Sequence, residues 1–189
     1  MSSKSLILAF AVIAAPAFAQ EDGPGPNLTI DVTGQANGTI VIDLFADKAP
    51  KHVAQITALA SEGAYDGVVF HRVIDGFMAQ TGDVQFGKAG GDLAQAGMGG
   101  SSKPDIPAEF SDVSFQRGVV GMARSQSPDS ANSQFFIMFA PGEFLDGQYT
   151  VVGQVISGME VVDAIKRGDG PNGEVTGAPD VMAKVTVAP

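Results

Sequence analysis

The sequence predicts a β-rich fold, a closed eight-stranded antiparallel barrel with two α-helices, and three observations predict it. The 189-residue chain contains 24 glycines and 11 prolines, a content that favours short strands joined by many turns. Eight segments have strand-like hydrophobic patterns and two have a helical period. No repeat or linker divides the chain, so the strands belong to one sheet, and closing that sheet removes its exposed edges.

The first predicted elements are a hairpin and a helix. Residues 28–33 and 40–44 alternate between apolar and polar side chains, which is the pattern of half-buried strands. The turn between them covers residues 34–38, where Asn37-Gly38 offers the positive φ angles of a hairpin loop. Residues 50–62 instead place apolar side chains on one helical face, with a proline at the first turn. The order is therefore strand, strand, helix.

In the rest of the chain, the pattern predicts six strands, a short helix and one long irregular segment. Residues 68–74 and 77–80 are apolar at both odd and even positions, so these strands are covered on both faces or carry a binding surface. Residues 81–107 are rich in Gly, Ala and Ser and are predicted to form a long surface loop, whose Gly-rich part over 90–100 either shapes the rim of a groove or only connects strands. The remaining predicted elements are strands over 118–123, 134–139, 150–156 and 181–187 and a short helix over 159–166.

The beginning of the chain has the pattern of a secretory signal peptide. Lys4 precedes an apolar run over residues 6–15, and Ala17-Phe18-Ala19 matches the small-residue site at which such peptides are cleaved. A retained membrane anchor is the alternative, but this run is too short to span ~30 Å of hydrocarbon as a helix. The predicted organisation is a signal peptide over 1–19, a flexible lead-in over 20–27 and one domain over 28–189.

Composition excludes several kinds of site. Eleven basic and 21 acidic residues give a net charge of −10, which repels nucleic-acid phosphates and anionic lipids. Without cysteine there is no disulfide or thiolate nucleophile, and two histidines do not make a metal cluster. Residues 169–174 resemble a calcium loop only weakly and are predicted to form a turn. We expect no metal, no cofactor, no nucleic-acid partner and no membrane attachment after signal cleavage.

Arg72 is unusual because it lies inside the apolar segment 68–74. A guanidinium in such a strand is either paired with a carboxylate or used at a site. His71 is adjacent, so in a strand it points to the opposite face, and the two side chains do not hold one ligand together. His71 is interpreted as structural. A serine hydrolase that uses His71 is disfavoured because the sequence has no G-x-S-x-G motif.

Two further pairs of residues suggest a groove. Met78 and Gln80 share one face of their strand, and Gln134 and Phe136 share one face of another. Each strand thus presents an amide beside an apolar side chain, which suits a groove that is half hydrophobic pocket and half hydrogen-bonding surface. Packing in the core is the alternative explanation for the apolar members.

Two longer segments resemble the signature stretches of the cyclophilin family of peptidyl-prolyl cis/trans isomerases. They are residues 70–83 (FHRVIDGFMAQTGD) and 133–137 (SQFFI), and residues 118–123 and 144–147 follow the family in matching order. With the signal peptide, the chain is similar to exported bacterial members. The resemblance implies a closed eight-stranded barrel capped by two helices, and a cofactor-independent isomerase (rotamase) that acts in protein folding.

The resemblance also implies a site. Arg72 corresponds to the catalytic arginine, which donates to the proline nitrogen without covalent chemistry. Phe144 and Tyr149 stand where many members have tryptophan and histidine, and loss of the indole N–H implies a reduced affinity for cyclosporin. The other residues that the resemblance assigns to the substrate are Phe77, Met78, Phe136 and Leu145 in the proline pocket, and Gln80, Gln134 and the backbone of Ala123 and Arg124 along the peptide.

The expected function is acceleration of X-Pro bond rotation in exported or folding polypeptides by a monomeric enzyme. Its partners are flexible chains that contain proline. The alternative is a non-catalytic binding or chaperone module that holds proline-containing segments in the same groove. The signal peptide predicts a periplasmic location, with secretion as the alternative.

Overall fold

A computed structural model describes residues 22–188, and the predicted signal peptide lies outside these residues. A single antiparallel sheet curls around the core, and two helices pack against it. Within residues 22–188 no helix has the length and apolar character needed to cross a membrane. The elements are β1 (Asn27–Thr33), β2 (Gly38–Leu44), α1 (Pro50–Ser61), β3 (Val68–Val69), β4 (Arg72–Ile74), β5 (Met78–Thr81), β6 (Val119–Met122), β7 (Phe135–Met138), a 3₁₀ turn (Glu143–Leu145), β8 (Val151–Ser157), α2 (Met159–Ala164) and β9 (Val181–Ala188).

The described sheet has nine strands where the sequence predicts eight. Their order is β3-β9-β1-β2-β8-β6-β7-β5-β4. The predicted strand over residues 68–74 is wrong as one element, because it divides into β3 and β4. These two strands lie at opposite edges of the sheet, and only Phe70 and His71 connect them. The β-rich antiparallel architecture is confirmed. The sheet, however, is a curled half-barrel: its edge strands β3 and β4 are joined by the chain at Phe70 and His71, whereas a closed barrel would join them by a ladder of hydrogen bonds.

A change of hydrogen-bonding partner explains the division. The amide of Phe70 donates to the carbonyl of Asp180, just before β9, over 2.9 Å. Three residues later the amide of Val73 donates to the carbonyl of Gly173 over 2.7 Å. The backbone therefore leaves β9 after Phe70, and from Arg72 onward it pairs on one side with β5, where Arg72 lies opposite Gln80, and on the other with the segment that contains Gly173. Hydrophobic periodicity carries no information about such a change of partner.

The main core lies inside the first hairpin and its neighbours. β1 and β2 pair with Ile30 opposite Ile40, and both side chains are fully buried. The hairpin turn differs from the prediction, since Gly34 and Gly38 have positive φ angles of 141° and 146° but Asn37 does not. Asn37 instead acts through its side chain, whose Nδ2 donates to the carbonyl of Gly34 over 2.8 Å and closes the loop.

Helix α1 covers the main core, and a distant glutamate caps its first turn. The helix begins at Pro50 and buries Val53, Ile56 and Leu59 among its apolar residues. Glu109 accepts hydrogen bonds from the amides of Lys51 and His52 at 3.1 Å each. This carboxylate satisfies amides that have no partner within the helix. It also fastens the chain just after the irregular segment 81–107 to the scaffold.

A second apolar cluster lies on the outer face of the sheet. Strand β7 is buried at every position, so its alternate side chains enter two different clusters. Phe135 and Ile137 face the main core, whereas Phe136 and Met138 face the outer cluster. Strands that are apolar on both faces therefore separate two hydrophobic layers. The candidate site lies in the outer layer.

Candidate active site

Two clefts lie side by side, and the smaller one lies over the outer cluster. One has a volume of about 290 Å³ and the other about 540 Å³, and both are lined by Gln80, Ala123 and Arg124. Every site residue predicted from the sequence lines the smaller cleft except Gln134, which lines the larger one. The lining of the smaller cleft is Arg72, Phe77, Met78, Gln80, Ala123, Arg124, Phe136, Phe144, Leu145 and Tyr149.

The apolar part of the smaller cleft has a rigid floor and an exposed wall. Phe136 stacks on Phe115 at 5.7 Å between ring centroids and meets the edge of Tyr149 at 5.9 Å. In contrast, Phe144 is 66% exposed and lies 5.6 Å from the Phe77 ring. Aromatic packing of this kind holds the floor in place. The floor can receive a flat apolar ring, while the wall stays open to solvent.

Arg72 stands at the polar end of the same cleft. In the antiparallel pair β4–β5 it lies opposite Gln80, and its Nη1 donates to Gln80 Oε1 over 3.2 Å. Its Nε donates to the carbonyl of Asn172 over 2.9 Å. Within residues 22–188 the guanidinium forms no ion pair, and its Nη2 has no protein acceptor. Neutral acceptors therefore hold a cation whose remaining N–H groups are available to a ligand.

A row of amides continues from Arg72 along the clefts. Gln80 Nε2 donates to Gln134 Oε1 over 3.0 Å. Gln134 Nε2 in turn donates to the carbonyls of Gly97 and Gly99 at 3.0 and 2.7 Å. Residues 97–100, which we call the Gly-rich loop, thus form the rim of the larger cleft. Of the two interpretations of this segment, shaping a rim is the one that fits.

The sequence did not identify the residue that anchors the Gly-rich loop. Asp83 is completely buried, and it accepts hydrogen bonds from the amides of Gly97 and Gly99 at 2.7 and 3.0 Å. Asn132 plays a similar role for Ser101, whose amide donates to its Oδ1 over 2.7 Å. Asp83 ends the first signature stretch, but no periodicity connects it with a loop fourteen residues downstream.

Arg124 lines both clefts, and several contacts hold its side chain in place. Its guanidinium carbon lies 4.3 Å from the centre of the Tyr149 ring. Its N–H groups donate to backbone carbonyls, including those of Gln148 at 3.0 Å and Ser125 at 3.0 Å. This cation–π and hydrogen-bonding arrangement fixes the side chain against the Tyr149 ring. The amide of Ala123 is already used inside the sheet, where it donates to the carbonyl of Gln134.

His71 lies behind the site and lines neither cleft. Its side chain is buried beneath the Gly-rich loop, where a Cβ on Gly97 would lie 3.1 Å from the imidazole ring. Burial lowers the pKa of His71 to about 4, although the nearby Asp83 carboxylate opposes this shift. The imidazole is therefore neutral near pH 7. It supports the loop from below through packing.

The fold and the cleft define a cyclophilin-type protein. The model of the family "Cyclophilin type peptidyl-prolyl cis-trans isomerase/CLD" matches residues 28–187, and the chain belongs to this family. A probable peptidyl-prolyl cis-trans isomerase of Brucella suis is 62% identical over 154 residues, covering 80% of this chain and 78% of the relative. The isomerase ppi1 of Schizosaccharomyces pombe is 40% identical over 128 residues, covering 66% and 76%. The enzyme class is thereby that of a peptidyl-prolyl cis/trans isomerase.

Solved structures show the same fold at lower sequence identity. Cyclophilin AquaCyp293 of Hirschia baltica matches with a TM-score of 0.70 and 24% identity, covering 88% of this chain and 75% of its own. A Cryptosporidium parvum cyclophilin-type isomerase, crystallised in the presence of the dipeptide Ala-Pro, matches with a TM-score of 0.71 and 24% identity, covering 86% and 99%. At this identity the agreement concerns the fold.

Proposed function

We propose that Arg72 is the catalytic residue of this isomerase and that it acts by donating a hydrogen bond to the proline nitrogen of the substrate. The supporting observation is that a guanidinium without an ion pair among residues 22–188 lines the same cleft as the apolar floor of Met78, Phe136 and Leu145. The floor suits a pyrrolidine ring. The cation then faces the bond that rotates.

The chemistry requires no covalent intermediate. Rotation about an X-Pro bond breaks amide resonance, so the barrier is ~20 kcal/mol and the spontaneous process takes tens to hundreds of seconds. In the twisted transition state the proline nitrogen becomes pyramidal and regains a lone pair. A donor aimed at that lone pair binds the transition state more strongly than either planar ground state. Because a guanidinium stays charged at physiological pH, Arg72 suits electrostatic stabilisation.

The neighbouring amides have a separate role in this proposal. Gln80, Gln134 and the backbone around Ala123 and Arg124 hold one side of the peptide while the other side rotates. Lowering a time of ~100 s to ~1 ms requires about 7 kcal/mol of preferential stabilisation, at ~1.36 kcal/mol per factor of ten. A charged donor combined with a fixed substrate orientation is sufficient for a gain of this size.

Substitution of Arg72 tests the proposal. We expect Arg72→Ala and Arg72→Lys to lower kcat/KM on an X-Pro peptide by about a hundredfold or more, since both remove the planar donor. A protease-coupled isomerisation assay measures the rate, and urea unfolding should show little loss of stability. Arg117→Ala is the matched control, because Arg117 pairs with Asp163 away from the clefts.

Two results would separate the alternatives. Full turnover in a well-folded Arg72→Ala variant removes Arg72 from the mechanism. If the wild-type protein binds a proline peptide but does not accelerate its isomerisation, the protein is a holder of proline-containing segments. Binding is measured separately by titrating a labelled peptide, so loss of binding and loss of catalysis remain distinct.

We also propose that the substrates are exported polypeptides and that the enzyme acts in the periplasm. The support is the signal-peptide pattern of residues 1–19, together with the slow isomerisation of proline bonds in folding chains. Cell fractionation and mass determination of the mature protein test this proposal. Cleavage after Ala19 and recovery in the periplasmic fraction are expected, and an uncleaved protein in the cytoplasm would contradict it.

A weak affinity for cyclosporin is part of the same proposal. Phe144 offers the exposed wall of the cleft no N–H group, so a ligand that accepts a hydrogen bond there loses that contact. Proline-containing peptides do not depend on this donor. The drug should therefore inhibit the enzyme only at high concentration.

A further inference from the structure

The segment from Gly168 to Thr176 lies against Arg72, although it is far away in sequence. It covers the free edge of β4, the last strand of the sheet. The amide of Val73 donates to the carbonyl of Gly173, and the amide of Val175 donates to the carbonyl of His71, at 2.7 and 3.0 Å. Backbone bonds on both sides of Arg72 thus set the position of this segment relative to the strand.

Within the segment, Asn172 is the residue that contacts the guanidinium. Its carbonyl accepts the Nε–H of Arg72 over 2.9 Å, a bond that spans one hundred positions of the chain. Gln80 holds the guanidinium from a second direction through Nη1. An arginine side chain has several rotatable bonds, and two acceptors at different nitrogens restrict both its reach and the rotation of its plane.

Glu174 fixes Asn172 through both of its carboxylate oxygens. The backbone amide of Asn172 donates to Oε2 over 2.8 Å, and its side-chain amide donates to Oε1 over 3.0 Å. The carboxylate therefore holds the main chain and the side chain of one residue at once. Gly170 leaves room for it, since a Cβ there would lie 2.7 Å from Oε2.

We call the two hydrogen bonds from Asn172 to Glu174 the clamp. The negative charge of Glu174 strengthens the clamp without forming an ion pair with Arg72. The amide hydrogen bonds from Asn172 are the main cause of a lowered pKa for Glu174, and the Arg72 charge adds to the shift. Glu174 is therefore ionised near neutral pH, and charge-assisted hydrogen bonds are stronger than neutral ones. Among residues 22–188 the two side chains form no ion pair, so the arginine keeps its free N–H groups.

We propose that Glu174 is a positioning residue for the isomerase reaction: it clamps Asn172, whose carbonyl holds the Nε of Arg72 beside the cleft. The inference rests on the catalytic role proposed for Arg72. A donor that is fixed before the substrate arrives stabilises the transition state without reorganisation, and a small displacement of a catalytic group lowers the rate strongly. The turn over residues 169–174 thereby has a function in the site.

Exchange of the Arg72 Nε–H with water tests the clamp directly. NMR on the full folded domain resolves arginine Nε–H resonances, and Arg72→Lys identifies the one that belongs to Arg72. In Glu174→Ala we expect its exchange to become at least about threefold faster, because the bond to Asn172 opens more often. Glu174→Gln keeps one acceptor oxygen and should lie between Glu174→Ala and the wild type. Glu160→Gln removes an exposed charge from α2 and should change nothing.

Kinetics test whether the clamp serves catalysis. We expect Glu174→Ala to lower kcat about tenfold with KM within about twofold, since the peptide-binding groups are untouched. In an Arg72→Lys background, which lacks the Nε–H, the same substitution should change kcat by less than about 1.5-fold. A merely structural role for Glu174 would lower kcat by the same factor in both backgrounds.

Failure of the clamp and failure of the proposed function are distinguishable. Unchanged Nε–H exchange in Glu174→Ala overturns the clamp, and so does an equal loss of kcat in the two backgrounds. If instead Arg72→Lys retains wild-type turnover while Glu174→Ala still accelerates the exchange, the catalytic role of Arg72 is what fails.

Discussion

The two halves of the sheet are built differently. The scaffold half, β9, β1 and β2, has strands of 7 or 8 residues, and β1 alternates between buried and more exposed positions. The site half, β6, β7, β5 and β4, has strands of 3 or 4 residues, and β6 and β7 are buried throughout. The scaffold half packs on the main core alone, whereas the site half lies between the main core and the outer cluster.

This difference shows how the molecule can open a cleft without losing its core. The apolar floor of the cleft belongs to the outer cluster, which includes Met78, Phe136 and Leu145. The opposite face of the same strands, with Ala79, Phe135 and Ile137, remains packed in the main core. Side chains of the outer cluster are therefore available to a ligand while the strands that carry them stay supported. In each of these short strands, one face contributes to the stability of the core and the other contributes to the cleft.

We expect the largest effect, a loss of stability with little loss of activity, from a cavity introduced into the scaffold half. Ile42 is fully buried in the main core. We expect Ile42→Ala to lower the free energy of unfolding by about 3 kcal/mol, measured by urea unfolding. At a temperature at which the variant is folded, kcat on a proline peptide should stay within about twofold of the wild-type value. A large loss of kcat in the folded variant would show that the two halves are not separate in function.

The pH dependence of stability provides a second test, through the histidine behind the site. The pKa of His71 falls from 6.5 to about 4 on folding, because burial disfavours the charged imidazole. The unfolded chain therefore binds a proton that the folded chain does not, so stability is complete above pH 6.5 and declines as the pH falls towards about 4. Between pH 6.5 and about pH 5 the loss should be about 1.5 kcal/mol.

The variant His71→Leu isolates this contribution. It removes the titrating group, so urea unfolding at several pH values should show a flatter profile than the wild type over the same range. Because the same carboxylates titrate in both proteins, their contributions to stability cancel when the two pH profiles are subtracted. Equal slopes for the two proteins would mean that His71 is not buried in its neutral form, and the packing beneath the Gly-rich loop would need another explanation.

The smallest expected effect concerns the exposed wall of the cleft. Phe144→Trp restores an N–H donor at a position that is 66% exposed. We expect about a fivefold gain in cyclosporin affinity, the contribution of one neutral hydrogen bond, with unchanged stability. Inhibition of the coupled assay measures it, and kcat/KM without the drug should change by less than about twofold. An unchanged inhibition constant would show that an N–H group at position 144 does not determine the affinity for the drug.

The sequence by itself determined the parts of this protein that depend on local pattern. Alternation over residues 28–33 and 40–44 predicts β1 and β2, and the helical period over 50–62 predicts α1, because these periods follow from the geometry of one element. The cleft residues were found for a different reason. Six of the eleven predicted site residues lie in the two stretches that resemble a known family, residues 70–83 and 133–137.

Only the tertiary structure decided which distant segments meet. It divided residues 68–74 between two edges of the sheet, and it placed Asn172 and Glu174 beside Arg72 and Asp83 beneath the Gly-rich loop. Neither a period nor a motif encodes these contacts, because each is a hydrogen bond between groups that are separated along the chain and brought together by the curl of the sheet. Local patterns fix the elements, whereas the partner of a polar side chain depends on how those elements close around the core.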